Sequence, residues 1–273
     1  MHGRKQESAP TSDLRKEDIE REVRRLAPFH HDIDLPFGLR TYLPDVSRQE
    51  RERTRLATLV DHVWPSLMAE CGGSLKGLRV LDVACNCGGF SVHAARSGAD
   101  YVLGFDVDEH YLSQAEFIKS ALGLANVQFQ KLHLEDLDPE IHGRFDVVLC
   151  LGILYHLENP VLCMQKLAAV TEKLIVVDTT LLRIPYINFL LRRLPLWHMR
   201  VVPAVTDVAQ NISTSRWRKH EHGQFSPNAA AVEELLKYSG FEDIQQLRPK
   251  NSNPELRYHN GTRATFIARK RND

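Results

Sequence analysis

The sequence predicts an α/β fold: an open, mostly parallel sheet of seven strands covered by helices. Three observations predict it. Val80–Glu109 reads as a buried strand, a small-residue turn, a helix and a second strand ending in an acid. Apolar runs of strand length then alternate with helical patterns across short connections as far as Asp178, as parallel strands with crossover helices require. Two late apolar segments suit a closing antiparallel pair.

Taken in order, residues 1–70 are expected to form an N-terminal helical extension that covers the site, and 71–273 the main domain. Residues 1–12 are polar and expected to be disordered. A charged helix is predicted over Asp13–Leu26, ending before Pro28. Pro28–Pro44 is dense in aromatics, histidines and acids and reads as an ordered loop, because so many groups want partners. Ser47–Met68 carries Leu56, Leu59, Val60, Val63, Trp64 and Leu67 on one helical face, with Pro65 expected to bend or end the helix. Strands follow at Arg79–Val83, Tyr101–Phe105, Val127–Lys131, Phe145–Cys150 and Lys173–Asp178. The helices between them are Gly89–Arg96, Glu109–Leu122 and Pro160–Val170. The rhythm breaks over 181–225, an insert that a position after strand five would hang over the ligand face of the sheet. Ser226 and Pro227 read as the cap and first turn of a last helix ending at Gly240, and Phe241–Leu247 and Thr262–Arg269 as the final strands.

Composition bounds the function. With 35 basic and 35 acidic residues the formal net charge is zero, so no global field draws the chain to nucleic acid. Five cysteines, at 71, 85, 87, 150 and 163, point to reduced thiols and a cytoplasmic setting. The start carries no apolar run of a secretory signal, and the most apolar stretch, Leu181–Leu196, is broken by arginines and prolines, so no membrane span is expected.

The turn after strand one is the chemical centre. Asp82 ends the strand; Ala84, Cys85, Asn86 and Gly88 are small or tolerate unusual dihedrals, which lets a ligand approach the backbone. The helix that follows offers backbone donors to an anion. Asp106, at the tip of strand two, is placed to accept from ribose hydroxyls. The full glycine spacing of a dinucleotide loop is missing, which argues against a dehydrogenase.

These residues resemble the first motif of the class I methyltransferases that use S-adenosylmethionine, acid-x-Gly-x-Gly-x-Gly, written here Asp82-Val-Ala84-Cys-Asn86-Cys-Gly88 with two glycines replaced. The resemblance implies their Rossmann-like seven-stranded fold and S-adenosyl-L-methionine as cofactor. It implies that Asp82 and Ala84–Gly88 hold the methionine part, Asp106 the ribose, and Val107 with His133, Leu134, Glu135 and Asp136 the adenine. Phe145–Pro160, with Cys150 to His156 at its strand tip, is similar to the tRNA wobble-uridine methyltransferases (5-oxyacetic acid and 5-methoxyuridine type), as is His31–Leu35. Cys150 is placed by it among the cofactor contacts.

Methyl transfer needs an acceptor held in line and a dry pocket. His156 is the candidate base, Tyr155 an orienting group, and His31 the next base candidate. Phe29, Phe37 and Tyr42 are expected to supply stacking surface, and His31 or Asp34 a polar contact. Adjacent histidines diverge, so His30, His31, Asp32 and Asp34 are not expected to bind metal. Cys85 and Cys87 are spaced CxC with no second pair, so no metal or redox site is expected there. In the insert, Tyr186, Phe189, Trp197, Trp217 and Phe225 suit an apolar acceptor pocket; Arg192, Arg193, Arg200, Arg216, Arg218 and Lys219 suit an anionic group, an RNA backbone or a homodimer surface. The expected reaction is methylation of a hydroxyl or amine on a small, partly aromatic or apolar molecule. The alternative acceptor is the tRNA wobble uridine.

Overall fold

The computed structural model describes residues 14–43, 50–182, 197–202, 222–248, 258 and 261–271. Five strands run parallel: β1 Arg79–Val83, β2 Tyr101–Asp106, β3 Val127–Lys131, β4 Phe145–Leu151 and β5 Thr171–Thr180. Outside their sheet, β6 (Trp197–Val202) and β7 (His222–Pro227) pair with each other. β8 (Phe241–Gln246) and β9 (Arg263–Lys270) complete the seven-stranded sheet, ordered β3-β2-β1-β4-β5-β9-β8, with β9 antiparallel to both neighbours. The predicted fold class is the one observed. The β6–β7 pair, which begins in the insert and takes in Ser226 and Pro227, was not foreseen.

The central strands are apolar on both faces because both are covered. Val80 and Val147 face a core completed by α1 (Lys16–Leu26), α2 (Glu50–Glu70), α3 (Gly89–Arg96) and α4 (Glu109–Leu122). Leu81 and Val148 face a second core completed by α6 (Pro160–Val170) and α7 (Ala229–Tyr238); the one-turn α5 (Pro139–His142) precedes β4 in the chain. Two local expectations are corrected. α2 does not end at Pro65: a proline removes one hydrogen bond, and the buried Val63, Trp64 and Leu67 hold the turn. α7 starts later than predicted, because Pro227 still belongs to β7 and Asn228 is the cap, accepting the Ala231 N–H at 2.9 Å.

β1 has β2 on one side and β4 on the other: the chain runs from β1 outward to β2 and β3, then crosses back to β4 on the opposite side. That reversal opens the crevice where open α/β sheets hold ligands. β5 and β9 are clasped by a buried cluster. Asp178 accepts from Thr265 Oγ1 at 2.7 Å and from the Tyr258 hydroxyl and the Arg263 guanidinium. No helix among the described residues is long and apolar enough to cross a membrane, and none of their His, Cys, Asp and Glu side chains group as a metal site.

Candidate active site

A cavity of about 800 Å³ lies over the tips of β1, β2 and β4. Ligand pockets commonly fall in a range of about 300–1,000 Å³. Its floor is the turn after β1. Ala84, Asn86 and Gly88 all take positive φ, at 53°, 54° and 78°. This alternation keeps the backbone close and curved, and Ala84 adopts it at a cost of about 1 kcal/mol that a glycine would not bear. Asn86 meets the demand differently: its Oδ1 accepts the Cys87 N–H at 2.7 Å. Gly88 does not line the cavity; it lets α3 close on the sheet, since a Cβ there would lie 2.7 Å from the Phe129 ring.

Two carboxylates fix this floor. Asp106 accepts the Asn86 N–H at 2.9 Å and the Asp108 N–H at 3.0 Å, joining the β1 turn to the tip of β2. Asp82 lies beneath, 1 % exposed, and accepts from Ser91 Oγ at 2.6 Å. Burial raises the pKa of both, that of Asp82 to about 7. Asp108 caps α4 by accepting the His110 N–H at 2.9 Å.

The walls come from three places. Val107, His133, Leu134 and Glu135 line the β2–β3 side. Tyr155 and His156 line the β4 side, on the single 3-10 turn Leu154–His156, their rings 4.1 Å apart. His30 and His31 reach in from the N-terminal loop, and Cys85 sits in the floor. Burial pushes the Cys85 thiol well above its usual range.

Several expected contacts fall elsewhere. Cys150 is fully buried in the core on the α6 face and does not line the cavity. Phe29 is buried in the core on the α3 face, and Phe37 is exposed. Neither they nor Tyr42 line the cavity. Asp32 and Asp34 pair with Arg40, at 2.9 Å and 2.5 Å, and so turn away from it. His31 accepts the Gly89 N–H through Nδ1 at 3.2 Å, which places the proton of a neutral ring on Nε2. A base needs an open lone pair, so this geometry disfavours His31 in that role. The insert's aromatic and arginine side chains lie outside the described residues.

Sequence reasoning missed Leu59, Asp108, Tyr111 and Glu158, which also line the cavity, as do His30 and Ile153 from segments it had placed there. Asp108 and Glu158 follow strand tips closely, which is a usable signal. Leu59 on α2 and Tyr111 on α4 arrive through tertiary packing, which has no local signature.

The lining has a sign. Asp82, Asp106, Asp108, Glu135 and Glu158 face the cavity, and no Lys or Arg among the described residues does. Such a wall repels a pyrophosphate and favours a cation. The residues present therefore fit S-adenosylmethionine, whose sulfonium and ammonium are positive: a left-handed backbone cradle, Asp106 for vicinal hydroxyls, and apolar Val107 and Leu134 for a flat ring.

Comparison with known proteins agrees. Residues 74–207 match the family model of a methyltransferase domain. Ubiquinone biosynthesis O-methyltransferase of Acinetobacter baylyi is 36% identical over 91 residues, 33% of this chain and 38% of that protein. tRNA U34 carboxymethyltransferase of Campylobacter fetus subsp. fetus is 32% identical over 121 residues, 43% of this chain and 42% of that protein. The chain thus spans about two fifths of these relatives. Among solved structures, the N-terminal domain of EvdMO1 with SAH bound has a TM-score of 0.65 at 20% identity, covering 97% of this chain and 100% of that one. Magnesium protoporphyrin IX methyltransferase (ChlM) of Synechocystis PCC 6803 with bound SAM has a TM-score of 0.55 at 19% identity, covering 84% and 86%.

Proposed function

We propose, from the class I S-adenosylmethionine-dependent methyltransferase domain that this chain carries, that the protein methylates a hydroxyl or amine of a small, partly aromatic or apolar molecule. The observation that carries this reading is the acidic lining of the cavity, to which no lysine or arginine among the described residues contributes. When bound, S-adenosylmethionine supplies a methyl group activated by its positive sulfur.

The chain's own residues then have distinct tasks. Asp106 and Ala84, Cys85 and Asn86 of the β1 turn bind and orient the cofactor's ribose and amino-acid ends. Asp82 balances positive charge from below. Leu59, Phe90, Leu151 and Ile153 give the cavity apolar wall that excludes water and suits an apolar acceptor. His156 takes the acceptor's proton, and Tyr155 orients the acceptor beside it.

The second reading is a tRNA wobble-uridine acceptor. It is favoured by the 32% identity to a tRNA U34 carboxymethyltransferase and by the string Phe145–Pro160. A radiolabelled methyl-transfer assay on total tRNA and on a metabolite extract, side by side, separates the two. Label in the metabolite fraction supports the small-molecule acceptor. Label in tRNA alone overturns it.

A further inference from the structure

We infer that His31 is a positioning residue for the cofactor turn, holding the first N–H of α3 through a neutral imidazole and thereby fastening the N-terminal loop to the cavity floor. The inference rests on reading the cavity as a cofactor site.

The first N–H groups of a helix have no partner within it, and a side chain at the cap position usually supplies one. Here the cap is Gly88, which has no side chain. The partner comes from 58 residues away, as His31 Nδ1, 3.2 Å from the Gly89 nitrogen. The fit is close: a Cβ on Gly89 would lie 2.4 Å from that same Nδ1. His31 is 5% exposed, and its ring packs edge-on against Phe90, with centroids 5.4 Å apart.

The loop's backbone is held as firmly. Thr41 Oγ1 donates to the His31 carbonyl at 2.6 Å and accepts the Ile33 N–H at 2.9 Å. Gln114 Nε2 on α4 donates to the carbonyls of Leu26 and Pro28, at 2.7 Å and 2.8 Å. The imidazole therefore sits at a fixed place between loop and turn.

This bond needs the neutral ring, because an imidazolium has no lone pair to accept with. A cation at a helix N-terminus is also opposed by the helix dipole. Acid should therefore loosen the turn. Other ionisable groups on the surrounding elements include His30, Asp32, Asp34 and Arg40 on the loop, Asp82 and Asp106 at the strand tips, His93 and Arg96 on α3, Asp61 and His62 on α2, and His110 on α4. The non-titrating variant His31→Asn, whose Oδ1 can stand in for Nδ1, separates His31 from these.

Two measurements test this. Nitrogen-15 spectra of the histidine-labelled, ligand-free chain at pH 7.5 should show His31 neutral with its proton on Nε2; a proton on Nδ1 overturns the inference. Calorimetry with S-adenosylhomocysteine should show His31→Leu weakened about fivefold to tenfold at pH 7.5, the scale of one lost hydrogen bond. His31→Asn should stay within about twofold of the unaltered chain and lose less affinity on acidification to pH 5.5. Unaltered affinity in His31→Leu, or His31→Asn as weak as His31→Leu, overturns it. If the unaltered chain binds no S-adenosylhomocysteine, the cofactor reading fails, and the spectra still judge the His31–Gly89 bond.

Discussion

Asp82 is the residue where sequence, burial and ligand charge meet. Its carboxyl is raised to about 7 chiefly by desolvation, against the opposing help of Ser91. The folded state therefore holds this proton more tightly than the unfolded chain does. Its contribution to stability is full below the ordinary carboxylate pKa, near 4, and is lost as pH rises through about 7. The span corresponds to on the order of 4 kcal/mol. Asp82→Asn, which can still accept from Ser91, should flatten that slope, so urea unfolding should show the variant gaining on the unaltered chain between pH 5 and pH 8. A cation in the cavity should also expel the proton. Calorimetry near pH 7 in buffers of different ionisation enthalpy should then report proton release on binding S-adenosylmethionine. Asp106→Ala should weaken that binding by about 1–3 kcal/mol, the scale for losing a charged hydrogen-bond partner. His156→Ala should slow turnover about 100-fold with cofactor affinity unchanged; near-normal turnover would leave Tyr155 and His156 as structure only.

At the scale of elements, the turn 84–88 accounts for the altered glycine motif. All three motif positions take left-handed backbone, so the motif's geometry survives where its residues do not. Ala84→Gly should be tolerated, its relief of about 1 kcal/mol offset in part by added freedom of the unfolded chain. Gly88→Ala should cost about 1–3 kcal/mol, since the new methyl meets Phe129 and Ala115, and a lowered thermal midpoint would show it. Most elements were legible in the sequence because each strand carries its own apolar run: β1, β3, α3, α4 and α6 match their predicted bounds. The start of α7 was misread because Ser226-Pro227 satisfies the local rule for a helix start, while pairing of β7 with β6 claims both residues. α5 was missed because four residues hold no periodicity.

Across the whole molecule, the sheet order converts local motifs into one cavity. Asp82, Asp106 and His156 could be placed from the sequence because each sits at or just past a strand tip. Cys150, near the β4 tip, and Phe29, in the loop after α1, could not, because the direction of each side chain depends on packing that only the folded chain defines. The clasp of Asp178 with Arg263, Tyr258 and Thr265 belongs to this scale, joining β5 to a strand more than 80 residues away. Asp178→Ala would leave Arg263 buried without its counter-ion and should destabilise the fold by about 3–5 kcal/mol, measurable by denaturant unfolding. The central claim is that the acidic cavity selects a sulfonium nucleoside over a pyrophosphate cofactor. Its most direct test is calorimetry of the unaltered chain with S-adenosylmethionine, S-adenosylhomocysteine and NAD under one buffer. The account predicts saturable binding of the first two and none of NAD; preferential binding of NAD would contradict it.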